Sequence, residues 1–141
     1  PEGMAANVRH YEGDAGIEFV LRDILATVAA NAAPFYRVYS SRQIRKYLYR
    51  PFPTFTRQRI EREIGVRVIA IGPGGEDAPL AERKWIPTTD QNPPASYVAI
   101  YPPKCAMISV IKQDYPTAVI LDAQPIALAL SLAFDTLWER L

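Results

Sequence analysis

The sequence predicts an α/β fold: a single domain with a mixed β-sheet that is flanked by helices. Strand-like apolar runs alternate with helical patterns along the chain, which is typical of a sheet covered by helices. Two runs near the end are separated by Pro102 and Pro103, which cannot donate to a strand ladder, so they predict a β-hairpin. The length of 141 residues, 49% of them hydrophobic, is enough for one domain with its own core.

Strands and helices alternate in the first half of the chain. The predicted elements are a strand over 8–11, a helix from 15 onward, a strand over 35–39, helices over 40–49 and 55–64, and a strand over 66–71. The first helix has a clear apolar stripe, and Asp14 is its expected cap. Gly65 is expected to end the third helix in a left-handed conformation.

The second half predicts mostly strands. The expected elements are a loop over 72–75, one helical turn over 77–82, an edge strand over 84–87, an exposed loop over 88–95, and strands over 97–101, 105–111 and 118–121. The run 118–121 is apolar throughout, which favours a central strand buried on both faces. Asp122 is the expected cap of the last helix, with Pro125 in its first turn.

The last helix is apolar on two sides. One stripe, expected to face the core, consists of Ile126, Leu130, Phe134, Leu137 and Leu141. Leu128 and Leu132 form a second stripe. A helix of this kind is either covered inside the fold or shared with another chain. Leu128, Leu132 and Trp138 are therefore the candidate dimerisation residues.

Composition excludes several kinds of site. The single cysteine, Cys105, lies in a strand-like run and is expected in the core of a protein from a reducing compartment. With His10 as the only histidine, the sequence supports neither a metal site nor a Cys/His nucleophilic pair. No apolar run is long enough for a membrane helix, and no signal sequence opens the chain. Because the sequence starts at Pro1, we expect it to be a piece of a longer protein.

A basic segment is the strongest binding signal. Residues 37–67 contain nine arginines and lysines against two glutamates, a local excess of +7, interleaved with five tyrosines and phenylalanines and preceded by Tyr36. Arginines among aromatic side chains can bind phosphates and stack on bases or sugars. The segment could equally form the solvated faces of two helices, or a contact face for another domain. The candidate ligand- or anion-binding residues are Arg42, Arg45, Arg57 and Arg62.

Two other motifs are weaker. The loop Gly72–Gly75 follows a strand, where α/β sheets bind ligands, but it lacks the lysine and Ser/Thr of a P-loop. Carboxylates are frequent at the start of the first helix, where the helix dipole favours them without any catalytic role.

Six pieces of the chain occur in the order known from one protein family. These are residues 11–17, 59–69, 99–101, 106–109, 118–122 and 134–139. Through them the chain resembles the C-terminal domain of TrmB-like transcriptional regulators, which carry an N-terminal winged helix-turn-helix. The resemblance implies a fold similar to half of a phospholipase-D-like domain.

Enzymes of that superfamily carry a His-x-Lys-x-x-x-x-Asp motif, which this sequence lacks. The strand that we match to the motif, residues 96–101, contains no histidine, and His10 lies far from it in the sequence. The resemblance therefore implies a lost active site, and no catalytic residue is predicted.

Together these observations favour a non-catalytic regulatory and dimerisation domain over residues 1–141, belonging to a prokaryotic DNA-binding transcriptional regulator. We expect a cytoplasmic homodimer that meets DNA through a domain outside this sequence and senses a small effector, a sugar or an anion. No cofactor is predicted. Two alternatives remain open: a divergent phosphodiesterase or nuclease of phospholipase-D-like fold, and a nucleic-acid-binding module that uses the basic segment.

Overall fold

Seven strands form one mixed sheet in the computed structural model, which describes residues 7–141. The strands are β1 (Val8–Glu12), β2 (Phe35–Ser41), β3 (Gly65–Ile71), β4 (Ala81–Ile86), β5 (Ser96–Tyr101), β6 (Lys104–Lys112) and β7 (Tyr115–Asp122). The helices are α1 (Gly13–Ala29), α2 (Arg45–Tyr49), α3 (Phe55–Glu61) and α4 (Gln124–Arg140), with a 3₁₀ turn at Arg42–Ile44. The predicted start of the domain at residue 1 lies outside the described residues.

The sheet has a parallel part and an antiparallel part. Its strand order is β1-β7-β6-β5-β2-β3-β4. β2, β3 and β4 run parallel, whereas β5, β6, β7 and β1 are each antiparallel to their neighbours. The predicted α/β class, the hairpin and the edge position of the strand before residue 87 are confirmed. The carboxyl ends of β2, β3 and β4 meet at one edge, which we call the upper edge.

Helices cover the two faces of the sheet unequally. α1, α2 and α3 pack on the front face, where every apolar position of the predicted α1 stripe is buried: Ile17, Val20, Leu21, Ile24, Leu25 and Val28. Burying one such side chain contributes roughly 1.5–3 kcal/mol. Only α4 covers the back face, against Ile69 and Ile100. Cys105 is buried in the sheet, as predicted.

Both predicted aspartate caps are wrong. Asp14 is the second residue of α1, and its carboxylate binds the Arg50 guanidinium at 2.7 Å. Asp122 is the last residue of β7, and Ala123 takes the cap position without a side-chain hydrogen bond. β1 runs directly into α1, and only Ala123 separates β7 from α4, so neither aspartate stands at the cap position. Pro125 lies in the first turn of α4, as predicted.

Three further predictions fail where tertiary pairing decides the backbone. The left-handed residue after α3 is Glu63, with φ 56°, and Gly65 begins β3. The helical turn predicted over 77–82 is absent, because β4 starts at Ala81 and pairs along the whole of β3. β7 is next to the edge, and Val119 on its back face is only half-buried.

The orientation of α4 differs from the prediction. Of the expected core stripe only Phe134 is fully buried, while Leu130 and Leu137 pack partly and Ile126 and Leu141 are exposed. The fully packed positions are Ala127, Ser131, Phe134 and Trp138. Small residues allow the helix axis to approach the sheet, which the Leu side chains would prevent. No helix of residues 7–141 has both the length and the apolar character needed to cross a membrane.

Replacing Phe134 by alanine should destabilise the protein strongly. The ring is fully buried and stacks on Trp138 at 5.9 Å, so we expect a loss of about 3–5 kcal/mol in the free energy of unfolding. Glu139→Ala, at an exposed position of the same helix, should change it by less than about 0.5 kcal/mol. Urea unfolding followed by circular dichroism measures both. Equal losses would contradict this orientation of α4.

Candidate functional site

The upper edge of the sheet brings together segments that are distant in the sequence. Ser41 and Ile71 end the paired strands β2 and β3 side by side. Beyond them the chain continues into the 3₁₀ turn and α2 on one side, and into the loop Gly72–Gly75 on the other. Open α/β sheets bind ligands beyond the carboxyl ends of their parallel strands. This edge is therefore the first place to look for a site.

The glycine loop gives space to two arginines. Gly74 and Gly75 have φ values of 98° and 108°, in the left-handed region that other residues rarely adopt. A Cβ on Gly75 would lie 2.8 Å from Cζ of Arg83, and one on Gly74 would lie 3.0 Å from Cδ of Arg42. The absence of a Cβ at Gly74 and Gly75 allows both arginines to lie against the backbone of the loop.

A cavity of about 120 Å³ lies below this loop, between the front face and helices α2 and α3. Its polar lining includes three arginines and two buried tyrosines, namely Arg45, Arg59, Arg83, Tyr36 and Tyr97. Val38, Val66 and Val68 form its apolar floor. We call it the arginine cavity. Since one water needs at least about 10–15 Å³ on this measure, the cavity has room for several waters.

Arg83 has no carboxylate within 4.0 Å among residues 7–141. Its guanidinium donates a long hydrogen bond of 3.5 Å to the backbone carbonyl of Glu76. Burial, and then the positive charge of Arg45, lower the pKa of Arg83, while Asp77 acts in the opposite direction. A partly desolvated cation beside another cation is a binding point for an anion.

Arg59 is the most buried cation of the site, with 3% of its surface exposed. It donates to the carbonyls of Ile64 at 2.8 Å and Pro79 at 3.0 Å, and no carboxylate of the described residues pairs with it. Burying a charge without an opposite charge is costly, and backbone carbonyls offset only part of that cost. The positive potential of Arg59 therefore remains in the arginine cavity.

Two tyrosine hydroxyls at the cavity wall stay protonated. Burial raises the pKa of Tyr36 to about 12, although a hydrogen bond with Tyr97 and the charge of Arg59 lower it. Burial also raises the pKa of Tyr97 well above its usual value, and the Tyr36 hydroxyl adds to that. Neutral hydroxyls can both donate and accept hydrogen bonds, so they can contact a polar ligand.

The predicted anion-binding residues separate into two pairs. Arg42 and Arg45 lie at the upper edge beside the glycine loop. Arg57 on α3 and Arg62, just after it, are exposed and do not line the arginine cavity, and Arg57 pairs with Glu61 at 3.8 Å one helical turn away. Arg83 was not predicted from the sequence. The one sequence feature that could have indicated it is its position on a strand that follows the glycine loop.

The basic segment is largely neutralised in the fold. Six of its nine cations form ion pairs with carboxylates: Arg37–Asp135, Arg45–Glu76, Lys46–Asp114, Arg50–Asp14, Arg57–Glu61 and Arg67–Glu82. Five of those six partners come from outside residues 37–67. The excess of +7 in the sequence therefore does not become a continuous positive surface.

A second, open groove of about 480 Å³ lies on the back face beyond α4. His10 on β1 and Met107 on β6 both lie opposite Val119 on β7, so they share this face at about 10 Å, two interstrand spacings. The sheet thus brings the histidine nearer to the final hairpin than the sequence suggests. However, the positions that the His-x-Lys-x-x-x-x-Asp motif requires after His10 are Glu12 and Ile17.

β6 carries the spacing of that motif without its chemistry. Met107 and Ser109 stand seven and five residues before Asp114, which lies in the turn to β7. Neither side chain is a nucleophilic histidine or a phosphate-binding lysine. Among residues 7–141, no three His, Cys, Asp or Glu side chains cluster as metal ligands.

Comparison with known proteins identifies the fold. No protein-family model and no curated protein matches the sequence. Among solved structures, TrmBL2, an archaeal chromatin protein with a novel mode of DNA binding, is similar over 99% of this chain, with 10% identity and a TM-score of 0.56. This chain spans 54% of the TrmBL2 chain, about half of its length.

Two other structures are similar over nearly their whole length. NucT from Helicobacter pylori has 12% identity and a TM-score of 0.54, covering 94% of this chain and 95% of its own. Nuc from Salmonella typhimurium, a phospholipase D family member, has 13% identity and a TM-score of 0.53, covering 94% and 93%. These likenesses confirm the predicted phospholipase-D-like fold, and at such identities they concern the fold alone.

The protein should lose stability in alkaline solution through Tyr36. Its hydroxyl has a raised pKa in the fold, so the protonated form stabilises the protein below pH 10, and this contribution disappears as the pH rises from 10 to 12. Two pKa units correspond to at most about 3 kcal/mol. Urea midpoints measured between pH 8 and 11.5 should fall less steeply for Tyr36→Phe than for the natural chain. Parallel pH profiles would contradict the burial of this hydroxyl.

Proposed function

We propose that this chain is the non-catalytic regulatory domain of a DNA-binding transcriptional regulator of the TrmB-like kind. One observation carries the proposal: a phospholipase-D-like fold whose only histidine is followed by Glu12 and Ile17 where catalysis requires lysine and aspartate. Without the lysine, His10 lacks the neighbouring cation that would hold a phosphodiester against the nucleophile. A fold can outlast its chemistry, because function depends on site residues rather than on the sheet.

The similarity to TrmBL2 supports the DNA-related part of the proposal. TrmBL2 is a chromatin protein that binds DNA, and this chain corresponds to about half of it. In the proposed regulator, DNA is contacted by a winged helix-turn-helix outside the present sequence, while this domain sets the geometry of that contact. The neutralised basic segment agrees with this division, since few cations are left free to bind phosphates of DNA.

Dimerisation is the second part of the proposal, and it uses α4. Leu128 is 47% exposed and Leu132 is 70% exposed, at i and i+4 on the outer side of the helix. Apolar side chains at this spacing are what two packed helices share. Trp138, our third candidate, is only 4% exposed and lies on the side of α4 that packs against the sheet. It therefore stabilises the packing of the helix and offers no contact surface.

Light scattering on a size-exclusion column, at several concentrations, tests the dimer. We expect twice the chain mass down to low micromolar concentration, and a monomer for Leu132→Glu, because the charge would be buried in the contact. Arg62→Glu, just after α3 on the opposite face, is the control and should leave the mass unchanged. A monomeric natural chain, or a Leu132→Glu dimer, would exclude this contact.

A divergent phosphodiesterase is the second candidate, and the back-face groove favours it. His10 lines that groove together with Ser109 and Thr117, whose hydroxyls could bind a phosphate oxygen. This reading predicts metal-independent cleavage of bis(p-nitrophenyl) phosphate that His10→Ala abolishes. Absence of turnover between pH 5 and 9 would exclude it, whereas cleavage that depends on His10 would overturn the regulatory proposal.

A further inference from the structure

We propose that the arginine cavity is the effector site of this domain and that it binds a small, hydroxylated phosphomonoester. The inference rests on the proposed regulatory function and adds the chemical class of the ligand. It concerns the front face, whereas the groove that contains His10 lies on the back face.

Charge is the first argument. Three guanidinium groups line the cavity, those of Arg45, Arg59 and Arg83, and the only carboxylates that line it are Glu76 and Asp77. Both carboxylates are exposed, and the only ion pair among these five groups within the described chain joins Arg45 to Glu76 at 3.5 Å. A dianion placed between the arginines would supply the missing negative charge. Such charge-assisted hydrogen bonds strengthen in a partly desolvated site.

The geometry of the arginines favours phosphate. Guanidinium groups bind phosphate through two parallel N–H···O bonds, and they lose little side-chain freedom in doing so. The Arg83 guanidinium lies against the Gly75 backbone, where any side chain larger than that of glycine would displace it. Arg59 is held more firmly, by its two carbonyl acceptors. Arg59 is therefore preorganised and needs little ordering when a ligand binds.

The remainder of the lining indicates a hydroxylated organic part. Hydroxyl groups of Tyr36, Tyr97, Ser40 and Thr56 line the cavity beside its valine floor. They match the hydroxyl groups of a polyol or a small sugar. Glycerol 3-phosphate combines such hydroxyl groups with a phosphomonoester, and we therefore choose it as the probe of this site.

Calorimetric titration of the whole chain with glycerol 3-phosphate is the direct test. Binding should weaken about 10- to 100-fold in Arg83→Ala, the loss expected for hydrogen bonds between charged groups. Arg83→Lys keeps the charge without the planar fork and should fall between the two. Arg62→Ala removes an exposed arginine outside the cavity and should bind like the natural chain. Circular dichroism establishes that each variant is folded.

Three ligands distinguish the chemical classes. Inorganic phosphate should bind more weakly than glycerol 3-phosphate, because it leaves the hydroxyl-lined part empty. Glycerol should not bind measurably. Glycerate, which presents a carboxylate, should bind more weakly than the phosphomonoester, and equal or tighter binding of glycerate would overturn the assignment to phosphate. Equal affinity of the natural chain and a folded Arg83→Ala would overturn the site, as would no binding of glycerol 3-phosphate at millimolar concentration.

Phosphorus NMR of the same mixtures separates this inference from the proposed function. A bound ligand that stays intact supports both. Release of inorganic phosphate that the Arg83→Ala substitution abolishes would overturn the non-catalytic reading. Failure to bind, with the dimer intact and bis(p-nitrophenyl) phosphate uncleaved, would overturn only the effector assignment.

Discussion

The candidate site depends on one buried guanidinium. Arg59 reaches from α3 to the carbonyl of Ile64, just before β3, and to that of Pro79, just before β4. It thereby fixes the entry points of two neighbouring parallel strands from a single helix. Because β4 is an edge strand, held by β3 alone within the sheet, this link also determines where Arg83 lies. This arrangement has a free-energy cost, because the Arg59 guanidinium is shielded from water and has no carboxylate partner among residues 7–141.

Long-range ion pairs explain why a basic sequence does not give a basic surface. Arg37 binds Asp135 of α4 at 2.7 Å, and Arg50 binds Asp14 of α1 at the same distance. These contacts hold α4 against the back face and connect α2 to α1, so part of the positive charge of the basic segment stabilises the fold. At the end of the sheet opposite the upper edge, Lys104 and Asp23 form a mostly buried ion pair at 3.0 Å. The Tyr101 hydroxyl donates a hydrogen bond to the same carboxylate. At the arginine cavity, by contrast, Arg59 and Arg83 form no ion pair with a carboxylate of residues 7–141.

The fold and its chemistry are separable in this chain. Solved nucleases of similar length show the same architecture at 12–13% identity, and an archaeal chromatin protein shows it at 10%. A sheet tolerates such divergence because its stability depends on volume and apolar pattern, whereas catalysis needs particular atoms at particular places. Here Met107 and Ser109 are ordinary residues of the strand β6, and they provide neither the nucleophilic histidine nor the phosphate-binding lysine of the motif.

The sequence by itself determined the α/β class, the strands and α1, because local apolar spacing reports which side of an element is buried. It also placed Arg42, Arg45 and the glycine loop at strand ends. It did not determine which side of α4 faces the sheet, since Ala127 and Ser131 are buried for their small size and the leucines are more apolar. Only the tertiary structure brought Arg45, Arg59 and Arg83 together. Parallel pairing of β2, β3 and β4 places these residues around one cavity, although Arg45 and Arg83 are 38 positions apart in the sequence. Periodicity describes neighbours along the chain, whereas a cavity is formed by neighbours across the sheet.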